Sequence, residues 1–279
     1  MVLRPLRPFP ERAPNAVVQE WLDAIEHALA DPAADRAALC RRTLVEIAYP
    51  QFAANWETAV NDASLPLATR AALLACDPRH ITLEPEYYAE VDDAKFQRVK
   101  PLLWLWYSFD RSALGAQNVD AGVRLRRILA PHIFRRCGRN FKAFQHVEFS
   151  FGYNMEVGDD VVVHRHVLLD DRGGLVLGDR VSISDYANIY SHTHSIVDQK
   201  DVTDAVTVLE NDVRITYHAT VLAGVRVGEN AMVGAGALAT KDVRPYHVNV
   251  GVPAKSVRVK PNAPVSGEVL PSAVRPAGG

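Results

Sequence analysis

Apolar positions between Leu209 and Val243 recur every six residues. One series reads Leu209, Ile215, Val221, Val227, Val233 and Ala239, and a second, four residues along, reads Val213, Ala219, Val225, Ala231, Ala237 and Val243. Gly228 and Gly234 each follow a member of the first series directly. Two registers of this period match neither the 3.6-residue turn of a helix nor the two-residue alternation of a strand. They predict flat faces of about six residues with a corner after each, stacked as a parallel β-helix. The larger aliphatics fill the prism interior, and the smaller ones sit near corners.

The register continues upstream in two other phases. Phe151, Val157, Val163 and Leu169 form one, with Gly152 and Gly158 behind the first two. Two extra residues around Arg172-Gly173-Gly174 shift the phase, and Leu177, Ile183 and Ile189 form the next. A polar, Asp-containing break then runs from about Ser195 to Val208. A loop thrown out between intact coils adds nothing to the stack and marks function.

Before Gly138 the pattern is helical. Asn15 is a natural N-cap, with Val18, Trp21, Leu22, Ile25, His27 and Leu29 at mostly helical spacing until Asp31-Pro32 stops the run. Asp35 caps a second helix carrying Leu39, Leu44, Val45, Ile47 and Ala48 before Pro50. Further helices are expected over Leu67–Ala75 and Asp92–Phe109, and a basic one over Val119–Cys137. The closely spaced prolines of residues 1–14 predict an irregular arm. The expected organisation is a helical domain over 1–138, the β-helix over 139–260 and a flexible tail over 261–279.

Composition narrows the partners. With 48% hydrophobic and 23% charged residues and a net charge of −2, the chain has no broad basic surface for nucleic acid or an anionic membrane. No apolar run is long enough for a signal-peptide core or a membrane span. Cys40, Cys76 and Cys137 are far apart and without a CxxC pair, which suits a reducing cytoplasm and a protein free of disulfides.

The chemistry concentrates where the loop leaves the stack. Ile189 points inward, so Thr193 is the expected corner and His194 lies just past it, facing outward. A histidine held there is a candidate general base, since an ordinary imidazole titrates near neutrality. Asn188 is expected in the equivalent outward position one face back. His192 and His194 stand two apart, as do His164 and His166, but neither pair has a third metal ligand at matching register. A metal site is therefore not expected.

The segment Ile189-Tyr190-Ser191-His192-Thr193-His194-Ser195-Ile196 is similar to the one around the catalytic histidine of the maltose and galactoside O-acetyltransferases. Asn211-Asp212-Val213 and the run from Gly228 to Ala239-Thr240-Lys241-Asp242-Val243 resemble that family's closing coils. Val250-Gly251-Val252-Pro253-Ala254-Lys255-Ser256-Val257-Arg258 resembles its terminal motif. Together they cover roughly residues 147–258.

The resemblance implies a left-handed parallel β-helix built of hexapeptide repeats, preceded here by an α-helical N-terminal domain. It also implies a homotrimer, acetyl-CoA as co-substrate with no tightly bound cofactor, and a small acceptor held between neighbouring subunits. His194 matches the catalytic histidine, and Thr240, Lys241 and Arg258 match positions that contact coenzyme A. Arg214-Ile215-Thr216 replaces a frequent Trp-Ile-Gly, which points to a changed acceptor groove. The family's acceptor-binding Asn has no counterpart. His164, Arg165, His166, Asp170 and Asp171 occupy its neighbourhood, and Asn188, His192, Arg214 and Asp170 are taken as acceptor-side candidates.

The expected reaction is acetyl transfer to a hydroxyl of a saccharide or related small molecule. Three rivals share parts of the pattern. A serine-acetyltransferase-like enzyme has a helical front end before a hexapeptide stack, a γ-carbonic-anhydrase-like protein holds zinc on three histidines, and a trimeric scaffold binds no coenzyme A.

Overall fold

The protein is described by a computed structural model that covers residues 15–198 and 200–264. The expected arm over 1–14, and the expected tail from 265 onward, lie outside the described residues. Six α-helices come first: α1 (Ala16–Ala30), α2 (Arg36–Ala48), α3 (Trp56–Asn61), α4 (Leu67–Leu74), α5 (Asp93–Arg111) and α6 (Val119–Ile133). Short 3-10 turns at Pro50–Phe52, Pro78–His80 and Pro85–Ala89 lie between them. Each begins on a proline, whose fixed φ and missing N–H suit a first position.

The caps fall where the residue types placed them. The Asn15 side chain accepts the Val17 N–H, and Asp35 accepts the N–H groups of Ala37 and Ala38. One helical expectation needs correction, and one helix was not expected. α6 stops at Ile133, and Arg136–Cys137 is the first strand rather than a helix end, because Phe134 turns extended and Arg136–Cys137 pairs with Glu156–Val157. α3 had no visible signal, since six residues are too few to show an apolar period.

Beyond Phe134 the chain winds as a parallel β-helix with three flat faces. The first face stacks Arg136–Cys137, Met155–Val157, Leu175–Leu177, Thr207–Leu209 and Arg226–Val227. The second stacks Lys142–Ala143, Val162–Val163, Ser182–Ile183, Arg214–Ile215, Met232–Val233 and His247–Val250, with Lys255–Val259 folded back antiparallel. The third stacks Glu148–Phe149, Leu168–Leu169, Asn188–Ile189, Thr220–Val221 and Leu238–Ala239. All twelve residues of the two registers between Leu209 and Val243 are buried, none more than 4% exposed.

One register assignment was off. Phe149, not Phe151, is the partner of Leu169 on the third face. Phe151 is also buried, but its ring packs against Tyr87, Phe96 and Tyr153, outside the prism. The cause is a second two-residue enlargement of the same corner, at 152–154 below the one at 172–174. Lys142, Val162 and Ser182 are accordingly twenty residues apart in the ladder, whereas Arg214 and Met232 are eighteen apart. Gly152 and Gly174, with φ of +79° and +101°, take the left-handed backbone that these wider corners need.

The helices close the open N-terminal end of the prism and share its core. Leu102, Leu105, Trp106, Leu125 and Leu129 belong to the same buried cluster as Phe141, Phe149 and the coil aliphatics. The Trp106 ring meets Phe149 edge-on at 5.2 Å, and its N–H donates to the Val147 carbonyl at 3.0 Å. The basic face expected on α6 is largely structural. Arg126 is 1% exposed, pairs with Asp110 of α5 and donates to the Ala143 carbonyl at 3.1 Å. Asp110 in turn accepts the His146 N–H at 2.7 Å, so one buried ion pair joins two helices to the first coil. No described helix is long and apolar enough to cross a membrane, and the three cysteines are unpaired.

Removing one partner of a buried pair leaves the other charge enclosed without compensation. Arg126→Met is expected to lower unfolding free energy by about 3–5 kcal/mol in equilibrium urea denaturation. A loss below about 1 kcal/mol would show that the pair does not hold the helices to the coils.

Candidate active site

The corner between the third and first faces is irregular on coil after coil, and the functional candidates gather there. Ser191 is the last residue of the stack before the excursion. Its carbonyl accepts the Ala205 N–H at 2.8 Å, closing the base of the loop. Its hydroxyl donates to the Asp170 carbonyl at 2.7 Å and accepts the Gly173 N–H at 2.8 Å. A Cβ on Gly173 would lie 2.3 Å from the Ser191 carbonyl oxygen, so only glycine lets the two coils approach here.

The excursion starts earlier than the sequence suggested and has structure of its own. His192–His194 pairs antiparallel with Val202–Asp204 as a hairpin, so Thr193 is a strand residue rather than a corner. Strand alternation turns Thr193 one way and puts His192 and His194 on the same side, their rings edge-on at 5.4 Å. The hairpin tip carries Ile196 and Val197, which are 103% and 92% exposed.

Each histidine faces a carboxylate. His192 Nδ1 lies 2.6 Å from Asp170 Oδ2. Asp170 is 2% exposed and also accepts the Ser150 hydroxyl at 2.7 Å and the Ser191 N–H at 3.0 Å. Burial opposes its ionisation, but these donors and the His192 ring hold it below the usual carboxylate range. With Nδ1 committed to a carboxylate, the Nε2 of His192 is left as the acceptor nitrogen.

His194 Nε2 lies 3.3 Å from Oε1 of Glu86, which comes from the Pro85–Ala89 turn of the helical layer. The Arg172 guanidinium holds Glu86 below its ordinary range by donating to it at 2.5 Å. Arg172 also bonds both oxygens of Glu90, and its side chain is 1% exposed. It fastens the turn to the corner.

Glu86 and Arg172 were not among the residues singled out from sequence. The two stand 86 residues apart, so no spacing rule connects them. Glu86 also supplies what the histidines lacked in the chain pattern, a third group. Ligand atoms of Glu86, His192 and His194 lie within 4.8 Å of one another, and Asp170 behind His192 is the kind of partner that metal-bound imidazoles have. Against a resident cation stands Arg172, whose guanidinium already neutralises Glu86.

The remaining candidates divide by face. Asn188 is on the third face, in register between Leu168 and Thr220 and adjacent to the histidine strand. Thr240 and Lys241 follow Leu238–Ala239 and so occupy the same irregular corner, two coils above the histidines. Arg214 and Arg258 are on the second face, one in its middle and the other on its folded-back strand. Within one chain the structure does not bring these two to the histidine corner. His164 stacks on Phe144 at 5.0 Å, and His166 lies between His146 and Tyr186 at 4.7 and 4.8 Å, all at or beside the corner between the second and third faces. Arg165 bonds Asp185 there.

No protein-family model matches the chain. Among curated relatives, the galactoside O-acetyltransferase of Escherichia coli is 28% identical over 158 residues, which are 55% of this chain and 75% of that one. A putative serine acetyltransferase of Schizosaccharomyces pombe is 33% identical over 105 residues, 38% of this chain and 39% of its own length. The chain resembles the hexapeptide-repeat acetyltransferases, and these relatives support an acyltransferase.

Solved structures agree on the fold. A maltose O-acetyltransferase from Clostridium difficile superposes with a TM-score of 0.53 at 22% identity, covering 60% of this acyltransferase and 87% of that chain. A galactoside acetyltransferase in complex with coenzyme A gives 0.53 at 23%, covering 63% and 92%.

Asp171, beside Asp170, is fully buried and accepts N–H groups from Phe151 at 2.7 Å and Asn154 at 3.1 Å. Those donors favour the carboxylate, yet burial outweighs them and pushes its pKa up to about 6. A folded-state value above the unfolded 3.8 means that the group's contribution to stability is full below about pH 4 and lost as pH rises through 6. The wild-type advantage over Asp171→Asn is therefore expected to shrink by roughly 2–3 kcal/mol between pH 4 and pH 7. Denaturant titrations at several pH values test this, and a constant difference would sink it.

Proposed function

We propose that this acyltransferase moves an acetyl group from acetyl-CoA to a hydroxyl of a saccharide or related small acceptor, with His194 as general base. The observation that carries the assignment is the 3.3 Å approach of His194 Nε2 to Glu86, at the foot of a hairpin beside a rigid stack. Its match to the catalytic histidine of the galactoside and maltose enzymes supports the same choice. The similarity to a galactoside O-acetyltransferase, and the coenzyme A in one related solved structure, support the donor and the acceptor class.

In this reading His194 removes the acceptor's hydroxyl proton as the oxygen attacks the thioester carbonyl. The tetrahedral adduct collapses with loss of the coenzyme A thiolate, which takes the proton back from the imidazolium. Glu86 faces the imidazole and stabilises the cation formed midway. Arg172 keeps Glu86 ionised for that task. Bringing both substrates to one corner supplies much of the acceleration. Thr240 and Lys241, higher on that corner, are the contacts proposed for coenzyme A, and Arg258 would join them only from a neighbouring copy. A homotrimer supplies such a neighbour and gives the exposed Ile196 and Val197 a surface to cover.

The 2.6 Å bond from Asp170 favours a second assignment, in which His192 is the base and His194 lies beside it. Release of coenzyme A across a panel of saccharide acceptors, measured for His192→Ala and His194→Ala, separates the two. His194→Ala is expected to lose roughly 10²–10⁴-fold in kcat with its oligomeric state unchanged, and His192→Ala much less. The reverse order would move the role to His192. Near-wild-type rates in both variants would remove histidine base catalysis altogether.

A further inference from the structure

A cavity of about 470 Å³ lies between α5 and the outer side of the third face, within the range of small-ligand sites. Along α5 its wall is one stripe that includes Lys100, Trp104 and Tyr107. Opposite stand Leu168 and Ser150. The polar atoms of Trp104 and Tyr107 are already used. The Trp104 N–H donates to the Ala75 carbonyl at 3.0 Å, and the Tyr107 hydroxyl donates to the Phe149 carbonyl at 2.9 Å and accepts its N–H at 3.1 Å. Only the ring faces of these two remain for a ligand.

Lys100 is the exception. It is 9% exposed, lines the cavity and has no hydrogen bond or ion pair with any described residue. Asp77 attracts it from a distance, but that carboxylate is already bonded by Arg41 and Arg79. An ammonium drawn largely out of solvent without a partner is costly, and an anion brought by a ligand would offset that cost. Arg111, Glu84 and Glu148 also line the cavity, and the two carboxylates disfavour a second negative charge.

Two lining residues link the cavity to the histidine corner. Leu168 is the ladder neighbour of Asn188, and the Ser150 hydroxyl donates to Asp170, which holds His192. We propose that this cavity takes the acidic end of the acceptor, a saccharide of the hexuronic-acid type bearing a single carboxylate. The carboxylate pairs with Lys100, and a sugar or aromatic ring lies against Trp104 and Tyr107. This assignment rests on the acetyl-transfer reading and narrows its acceptor to monoanions.

Calorimetric titration with 4-nitrophenyl β-D-glucuronide and 4-nitrophenyl β-D-glucoside, which differ only in the carboxylate, tests it without acetyl-CoA. The wild type is expected to bind the glucuronide at least about ten-fold more tightly, the usual worth of a charged hydrogen bond. Lys100→Met is expected to bind the two alike and to melt no lower than wild type. Equal wild-type affinities would overturn the proposal, as would a preference that survives in Lys100→Met. A lower melting temperature with loss of both ligands would assign Lys100 to structure and overturn it too. Coenzyme A release is scored separately. Glucuronide binding without transfer would defeat the acetyl-transfer reading alone, and transfer to neutral acceptors without a glucuronide preference would defeat this one alone.

Discussion

Every coil of the prism hydrogen-bonds to the coil above and below, and that ladder decides where the chain is free to vary. A face cannot gain a residue, because one extra position would turn its whole inward set outward. Insertions are confined to corners. This chain puts all of its enlargements on one corner: two residues at 152–154, two more at 172–174, and the hairpin between Ser191 and Ala205. Corners elsewhere stay tight through non-glycine residues with positive φ, among them Asn140, Asp160, Asp212 and Asn230 along one edge and His146, His166 and His218 along another. On the second of these edges His146, His166, Tyr186 and His218 stack ring on ring from coil to coil. The regular edges stabilise, and the irregular edge is left to do chemistry.

The helical layer finishes that edge. Asp110 and Arg126 anchor α5 and α6 on the first coil, which sets the Pro85–Ala89 turn over the corner above. Arg172 then reaches out from the wider corner to Glu86 and Glu90. A narrow eighteen-residue coil would lack the residue positions from which Arg172 and Gly173 make these contacts. The phase shift seen as a flaw in the repeat is thus what lets a second layer supply a carboxylate to His194.

Legibility in the sequence followed the range of each interaction. The prism core was readable because inward positions repeat locally, and Asn15 and Asp35 were readable because a cap acts on its own next turn. Phe151 misled because it is as apolar and as buried as a true register member, while its burial is against helices that the repeat does not describe. His194 was reachable through its segment. Glu86, Arg172 and the cavity around Lys100 were not, since their partners lie across two layers joined only in the fold. The hairpin was seen as a polar break, but its pairing needed the antiparallel register of His192 with Asp204.

Asp170 and Asp171 show how such a corner sorts its charges. They are adjacent in the chain, both buried, and pulled in opposite directions. Just past the strand, the two side chains point to different partners: Asp170 meets Ser150, Ser191 and His192, whereas Asp171 meets backbone N–H groups of the coil below. The imidazole gives Asp170 a partner able to carry positive charge, which Asp171 lacks. Burial disfavours the Asp171 carboxylate most, the neighbouring Asp170 charge adds to that, and Asp171 yields. Negative charge is thereby concentrated on the histidine side, where Asp170 and Glu86 flank two imidazoles from different layers of the protein. In the proposed reaction, a proton drawn from an acceptor would be stabilised there by carboxylates whose own ionisation is fixed by Arg172 and by Ser150, Ser191 and His192 before any substrate arrives.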